Sequence, residues 1–153
     1  LPTAPVSVTI DRPGWYKKTV LPKFLRKKSA MTIAERQEWQ KLSSVLKQES
    51  ATLSMIPLAV FFHGDRIDRD RLNQLPAGTL VEFIRPHWPQ LKQKLGSKML
   101  ASHMGFILNL GSQKMLLHAS SIKGKVSLQD LASYLQFLHK HDSSKGLHLL
   151  TML

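Results

Sequence analysis

Two histidines, His103 and His118, are the side chains best suited to carry a reaction. They sit in two short apolar runs, Ser102-His103-Met104-Gly105-Phe106-Ile107-Leu108 and Met115-Leu116-Leu117-His118-Ala119-Ser120-Ser121. Between the runs lies turn material, Asn109-Leu110-Gly111-Ser112-Gln113-Lys114. Two strands joined by a tight turn place both imidazoles on one face of a sheet. That arrangement suits a base histidine and a partner that orients it. The nucleophile such a pair usually serves is a cysteine, and the chain contains none.

Parity tests the hairpin. Any even-length loop pairs residues whose numbers sum to an odd constant, so His103 and His118 fall on one face. A two-residue turn at Leu110-Gly111 sets His103 directly opposite His118, Phe106 opposite Met115 and Met104 opposite Leu117, with an apolar face behind the histidines. Glycine in the second turn position supplies the positive φ of such turns. A four-residue loop, Gly111–Lys114, keeps the shared face but staggers the rings by roughly 13 Å. The tighter turn is preferred.

The elements around the hairpin follow from pattern. Residues 1–30 read as a proline-punctuated basic lead-in, with Pro2, Pro5, Pro13 and Pro22 against a long helix. Thr32-Ile33-Ala34-Glu35 is a capping box, and Trp39, Leu42, Val45 and Leu46 carry a helix to about Gln48. Leu53–Phe62 is expected as a strand, pushed toward an edge or bulge by Pro57. Asp65–Arg71 reads as a solvated helix or loop, Leu75-Pro76-Ala77-Gly78 as a turn, and Thr79–Ile84 as a strand. Pro86 to Ser102 is expected to be a long lysine-rich loop. After the hairpin, Leu128, Leu131, Ala132, Leu135 and Leu138 mark an amphipathic helix, and Leu147–Leu153 a closing strand. Antiparallel strands with helices at the sides and end read as an α+β fold.

The chain suits a single domain, 1–153, at 42% hydrophobic and 21% charged residues, which is a globular balance. Without cysteine it can hold neither disulfides nor thiolate metal sites. No apolar run is long enough to span a bilayer. The chain opens on Leu1 rather than methionine, so it reads as part of a longer product. A formal charge of +12 favours a polyanionic partner: nucleic acid, an anionic membrane or wall polymer.

Plainer readings compete at each feature. A lone strand histidine is usually structural, but two in facing positions within one pattern favour a site. With two imidazoles and no third ligand nearby, zinc is disfavoured, and no metal or cofactor is expected. His139-Lys140-His141-Asp142 resembles a metal tract, yet cations at a helix C-terminus complement its dipole, and that reading is preferred. Lys17, Lys18, Lys23, Arg26, Lys27 and Lys28 interleave with Trp15, Tyr16 and Phe24, which could bind nucleic acid. No recognised nucleic-acid motif accompanies them, and the aromatics read as anchors.

The pattern His-Met-Gly-Phe-Ile, a turn, then Leu-His-Ala-Ser-Ser resembles NlpC-type papain-like cell-wall peptidases. Within that group it looks most like the bacterial N-acetylmuramoyl-L-alanine amidase-like family. The matching material runs from Met55-Ile56-Pro57 through Leu75-Pro76-Ala77-Gly78-Thr79 to the helix ending near Leu138. The resemblance implies a papain-like antiparallel sheet, a half-barrel with flanking helices, of which this chain is the C-terminal part. It implies a Cys-His-His hydrolysis of an amide in peptidoglycan, at the lactyl-alanine bond or in the stem peptide. His103 would be the base and His118 the residue that orients it, with Ser102, Gly105 and Ser120 against the substrate. It also implies export, to the periplasm or outside the cell. In the family the cysteine lies upstream of the histidine strands, and no serine here stands in a nucleophile-elbow context. A separate polypeptide carrying the cysteine, or a chain cut from a whole enzyme, is preferred to a degenerate enzyme, which would have little reason to keep both histidines in register. By that resemblance Lys92, Lys94 and Lys98 could form a basic lip for stem-peptide carboxylates, although a solvated loop is the plainer reading. The alternative function is a non-enzymatic basic module binding a polyanion, nucleic acid or wall polymer.

Overall fold

Regular structure begins where polar and apolar residues alternate, in β1 (Ala4–Asp11). The computed structural model describes residues 1–86, 88–140 and 144–150. From Arg12 to Ala30 the chain is helical: α1 (Arg12–Trp15), a wide π-type stretch (Tyr16–Val20), α2 (Leu21–Lys27) and a 3-10 turn (Lys28–Ala30). This corrects the irregular lead-in expected for 1–30. Pro13 stands in the first turn of α1, where the missing N–H breaks no helical hydrogen bond.

The capping box forms as expected at α3 (Ile33–Ser44). Glu35 N donates to Thr32 Oγ1 at 3.2 Å, and Thr32 N donates to Glu35 Oε2 at 2.7 Å. The helix stops at Ser44, short of Gln48, because Gln48 already opens β2 (Gln48–Pro57). Pro57 ends that strand, and Leu58–Phe61 is a 3-10 turn rather than the strand expected through Phe62. A small hairpin follows, β3 (Phe62–His63) and β4 (Arg66–Ile67), then α4 (Arg69–Asn73), whose N-terminus is capped by Asp68. β5 covers Thr79–Ile84, as expected.

The lysine-rich segment after Pro86 holds a helix, α5 (Pro89–Leu95), where a loop was expected. Its punctuation is a proline at the start and Gly96 at the end, with φ +79° and an N–H donated to the Lys92 carbonyl. β6 (Ala101–Leu110) and β7 (Gln113–Ser120) form the histidine hairpin. Leu128 belongs to a strand, β8 (Lys125–Asp130), so α6 begins later than its sequence suggests, at Leu131, and runs to Lys140. β9 (Gly146–Leu150) is the expected closing strand, and it inserts between β2 and β5. The part of that expected strand at 151–153 lies outside the described residues.

The chain gathers into two compact units. The first comprises Leu1–Val6, Leu53–Pro86 and Leu100–Leu153, and holds an antiparallel sheet in the order β2-β9-β5-β6-β7-β8. The α+β class expected from the sequence is therefore present, as a large antiparallel sheet with helices. Val81 and Phe83 on β5, Ile107 on β6, Leu116 on β7 and Leu147 on β9 are fully buried on one face. Leu131 and Leu135 of α6 and Phe61 of the 3-10 turn pack against them. The reverse face is apolar as well, but Met104, Phe106, Val126 and Leu128 are exposed there.

The second unit comprises Ser7–Thr52 and His87–Met99. Within it Gly14 N donates to Asp11 Oδ1, and Asp11 N donates to Ser97 Oγ. A Cβ on Gly14 or on Gly96 would collide with the backbone of the other, so these two glycines let α1 and α5 meet.

Candidate active site

The hairpin that carries the histidines closes with a two-residue turn at Gly111-Ser112, one position later than the sequence suggests. Gly111 has φ +59°, and among the described residues no non-glycine residue has positive φ, which fits a type II′ turn with glycine first. Gly105 is thus opposite His118, Phe106 opposite Leu117, and Leu108 opposite Met115. The direct facing of His103 and His118, and the Phe106–Met115 and Met104–Leu117 pairs, are corrected to this register. The reason is burial. The earlier turn would set Lys114 beside the fully buried Ile107, whereas the observed one pairs Ile107 with Leu116, also fully buried.

A shift of two residues preserves the shared face, so the histidines become diagonal neighbours. Long side chains span that diagonal. His103 Nε2 and His118 Nδ1 are 2.7 Å apart, within a strong hydrogen bond, and the rings cross at 86°. His118 is buried, and its Nε2 has no hydrogen-bond partner among the described residues. His103 is half-buried. Burial pushes the His103 imidazole below its ordinary pKa, and the neighbouring His118 adds to the effect. His103 therefore rests neutral at neutral pH. One ring donates and the other accepts, and His103 keeps Nδ1 outside that bond.

Three further groups fix the pair, and each comes from a different element. Phe83 of β5 lies opposite His103 and stacks on its ring at a centroid distance of 5.9 Å. Tyr134 of α6 stands 6.1 Å from the His103 ring, 5.3 Å from that of His118 and 4.9 Å from Phe83. Burial raises the Tyr134 hydroxyl above its ordinary pKa, so it stays protonated. Ser102 is the extra residue of a β-bulge, since Phe83 pairs with His103 while Ile84 pairs with Ala101. Its hydroxyl donates to the Phe83 carbonyl at 3.1 Å, pinning the bulge next to His103.

Gly105 and Ser120 are also occupied within the fold. A Cβ at 105 would lie 2.8 Å from Leu116 Cδ1 and from the Leu117 carbonyl oxygen, and 3.0 Å from His118 Cβ. Glycine there lets β7 approach and seats His118. Ser120 Oγ accepts from Lys123 N at 3.2 Å, closing the turn before β8. Sequence reasoning did not single out Tyr134 or Phe83. Both had a signal: Phe83 alternates onto the buried face of β5, and Tyr134 stands beside Leu131, Leu135 and Leu138 on the apolar stripe of α6.

The other described histidines lie apart from this pair. His63 Nε2 is 3.0 Å from Asp68 Oδ2, and His148 Nδ1 is 2.7 Å from the Ser54 carbonyl oxygen. His139 stacks on Phe62 at 4.0 Å, in the last turn of α6, while His87, His141 and Asp142 lie outside the described residues. Among the described residues no cluster of three or more His, Cys, Asp or Glu side chains could hold a metal ion. Lys92, Lys94 and Lys98 are exposed, the first two on α5, in the second unit.

No family model and no curated protein matches the chain. Among solved structures, a Legionella pneumophila protein described by the family model DUF1460 is similar, with a TM-score of 0.80 and 24% identity. The match covers 96% of this chain and 50% of that one, so the chain has that protein's fold over about half its length. Two structures of an N-acetylmuramoyl-L-alanine amidase from Bacteroides uniformis also match over nearly the whole chain. Their identities are 17% and 16%, their TM-scores 0.48 and 0.46, and 54% and 52% of their length is covered.

Proposed function

We propose that this chain is the histidine-bearing part of a papain-like, NlpC-type amidase that hydrolyses an amide bond in bacterial peptidoglycan. One observation carries the reading: the 2.7 Å bond between His103 Nε2 and His118 Nδ1 on one sheet face. The family resemblance of the two strands supports it, and so does a fold shared with a protein about twice as long.

In this reading His103 donates its Nε2–H to His118 Nδ1, which fixes the tautomer and leaves the Nδ1 lone pair as the base. A thiol supplied from outside these residues gives its proton to Nδ1, and the thiolate attacks the amide carbonyl. The imidazolium then returns that proton to the leaving amine, and water hydrolyses the thioester. His118, Phe83 and Tyr134 hold the His103 ring through both transfers. Ser102 and Gly105 serve by positioning β6 and β7, and Ser120 by closing the turn beside them. No metal or cofactor takes part. The thiol belongs to a preceding segment or a second chain, and a wall substrate requires export. No helix among the described residues is long and apolar enough to cross a membrane.

The chain alone is expected to leave purified muropeptides intact, while a longer product supplying the cysteine cleaves them. In that product His103→Ala is expected to lower kcat/KM by at least about a hundredfold. Cleavage by the isolated chain, or full activity in the His103→Ala enzyme, refutes the assignment.

A further inference from the structure

We infer that the second unit is an interfacial module that docks on an anionic lipid bilayer. Its charge is the first ground. Asp11, Glu35, Glu38 and Glu49 are its only acids, against thirteen lysines and arginines, so most of the chain's net charge of +12 lies in this unit. Segregation of that kind favours a negative surface over a diffuse counter-ion atmosphere.

The second ground is an apolar groove within the same unit. Trp15, Val20, Phe24, Met31 and Trp39 line an open cavity of about 520 Å³. The Trp39 ring lies 5.5 Å from that of Phe24 and 6.4 Å from that of Tyr16. Lys23, Arg26 and Lys27 line the same groove, so cations and aromatics point at one occupant. Neither α1, α2 nor α3 contains a buried residue. Trp15 is 42% exposed, and Leu25, between two lining residues, is 55% exposed.

A helical layer with no interior of its own, apolar side chains at the surface and cations beside them has the chemistry of an interfacial helix. Tryptophan enters the headgroup boundary, aliphatic side chains enter the acyl edge, and lysines and arginines pair with phosphates. Nucleic acid would use the cations and the aromatic faces, but gives exposed Leu25 no apolar environment. The lipid surface accounts for both.

The test is co-sedimentation of the 153-residue chain with vesicles of phosphatidylcholine alone, or mixed in equal parts with phosphatidylglycerol. Binding to the mixed vesicles is expected to be at least about tenfold tighter, and to weaken about tenfold on raising salt. Acyl-brominated lipid should quench tryptophan emission. Lys23→Gln, Arg26→Gln and Lys27→Gln together should weaken binding about a hundredfold, at about fivefold per cation. Trp15→Ser with Leu25→Ser, both exposed positions, should weaken it with the charges intact. Equal binding to neutral vesicles, no binding to either, or an unaffected Trp15→Ser/Leu25→Ser variant overturns the inference. So does capture of a single-stranded oligonucleotide with no quenching by brominated lipid, which would assign the unit to nucleic acid.

Discussion

Replacing Gly105 by alanine tests how tightly the histidine hairpin is packed. The added Cβ would sit 2.8 Å from Leu116 Cδ1, 2.8 Å from the Leu117 carbonyl oxygen and 3.0 Å from His118 Cβ. Leu116 could turn only inside a filled interior, since it is fully buried, and the carbonyl belongs to the ladder. Overpacking of this kind costs about 1–3 kcal/mol. Alanine recovers about 0.5–1 kcal/mol of chain entropy that glycine loses in a strand. Because the added Cβ meets a ladder carbonyl as well as a buried leucine, the cost lies toward the upper end, and a net loss of up to about 2.5 kcal/mol is expected, read as a lower urea midpoint with unchanged slope. The displacement falls on His118, so the 2.7 Å contact with His103 should lengthen. Imidazole resonances of His103, followed by NMR through a pH titration, would show its pKa moving back toward the ordinary value as His118 is displaced. If Gly105→Ala matches or exceeds the native midpoint, and His103 titrates as before, the close approach of β6 and β7 is wrong.

Three other outcomes follow from single features. His103 has its pKa depressed by burial, so its contribution to stability is complete above the unfolded value near 6.5 and is lost as pH falls through that value toward the folded one. Urea midpoints should therefore drop below pH 6.5, and His103→Gln should lessen the drop; an identical profile in that variant would place the acid sensitivity elsewhere. Leu135→Ala, in the fully buried stripe of α6, should cost about 2–5 kcal/mol, and a loss under 1 kcal/mol would show that α6 does not seal the sheet. Thr32→Ala removes one side of the capping box and should cost about 1 kcal/mol, seen as faster amide exchange in the first turn of α3. Protection equal to the native helix would refute the cap.

The elements differed in how plainly the chain announced them. The capping box at Thr32 and Glu35 and the strand Thr79–Ile84 are local signals, and both formed where they were read. α5 is hidden in the sequence because its Pro89 start and Gly96 stop are terminal signals and its lysines leave no apolar stripe between them. Leu128 stands at helical spacing from Leu131 and Leu135, yet it pairs with Leu117 across a ladder. A single apolar residue suits either period, and only pairing with a distant strand chooses between them.

That His103 and His118 share a face is already written in the chain. Side chains alternate with a period of two, and any even turn between the strands preserves that parity. The sequence left the register open by two residues, because one glycine can serve either position of a two-residue turn. Tertiary structure decided that point by burying Ile107 with Leu116 instead of Lys114, since an ammonium is costly to remove from water. It also brought Phe83 and Tyr134 to the pair from two other elements, β5 and α6. No spacing along the chain encodes such a meeting, because it depends on how a helix lies across a sheet.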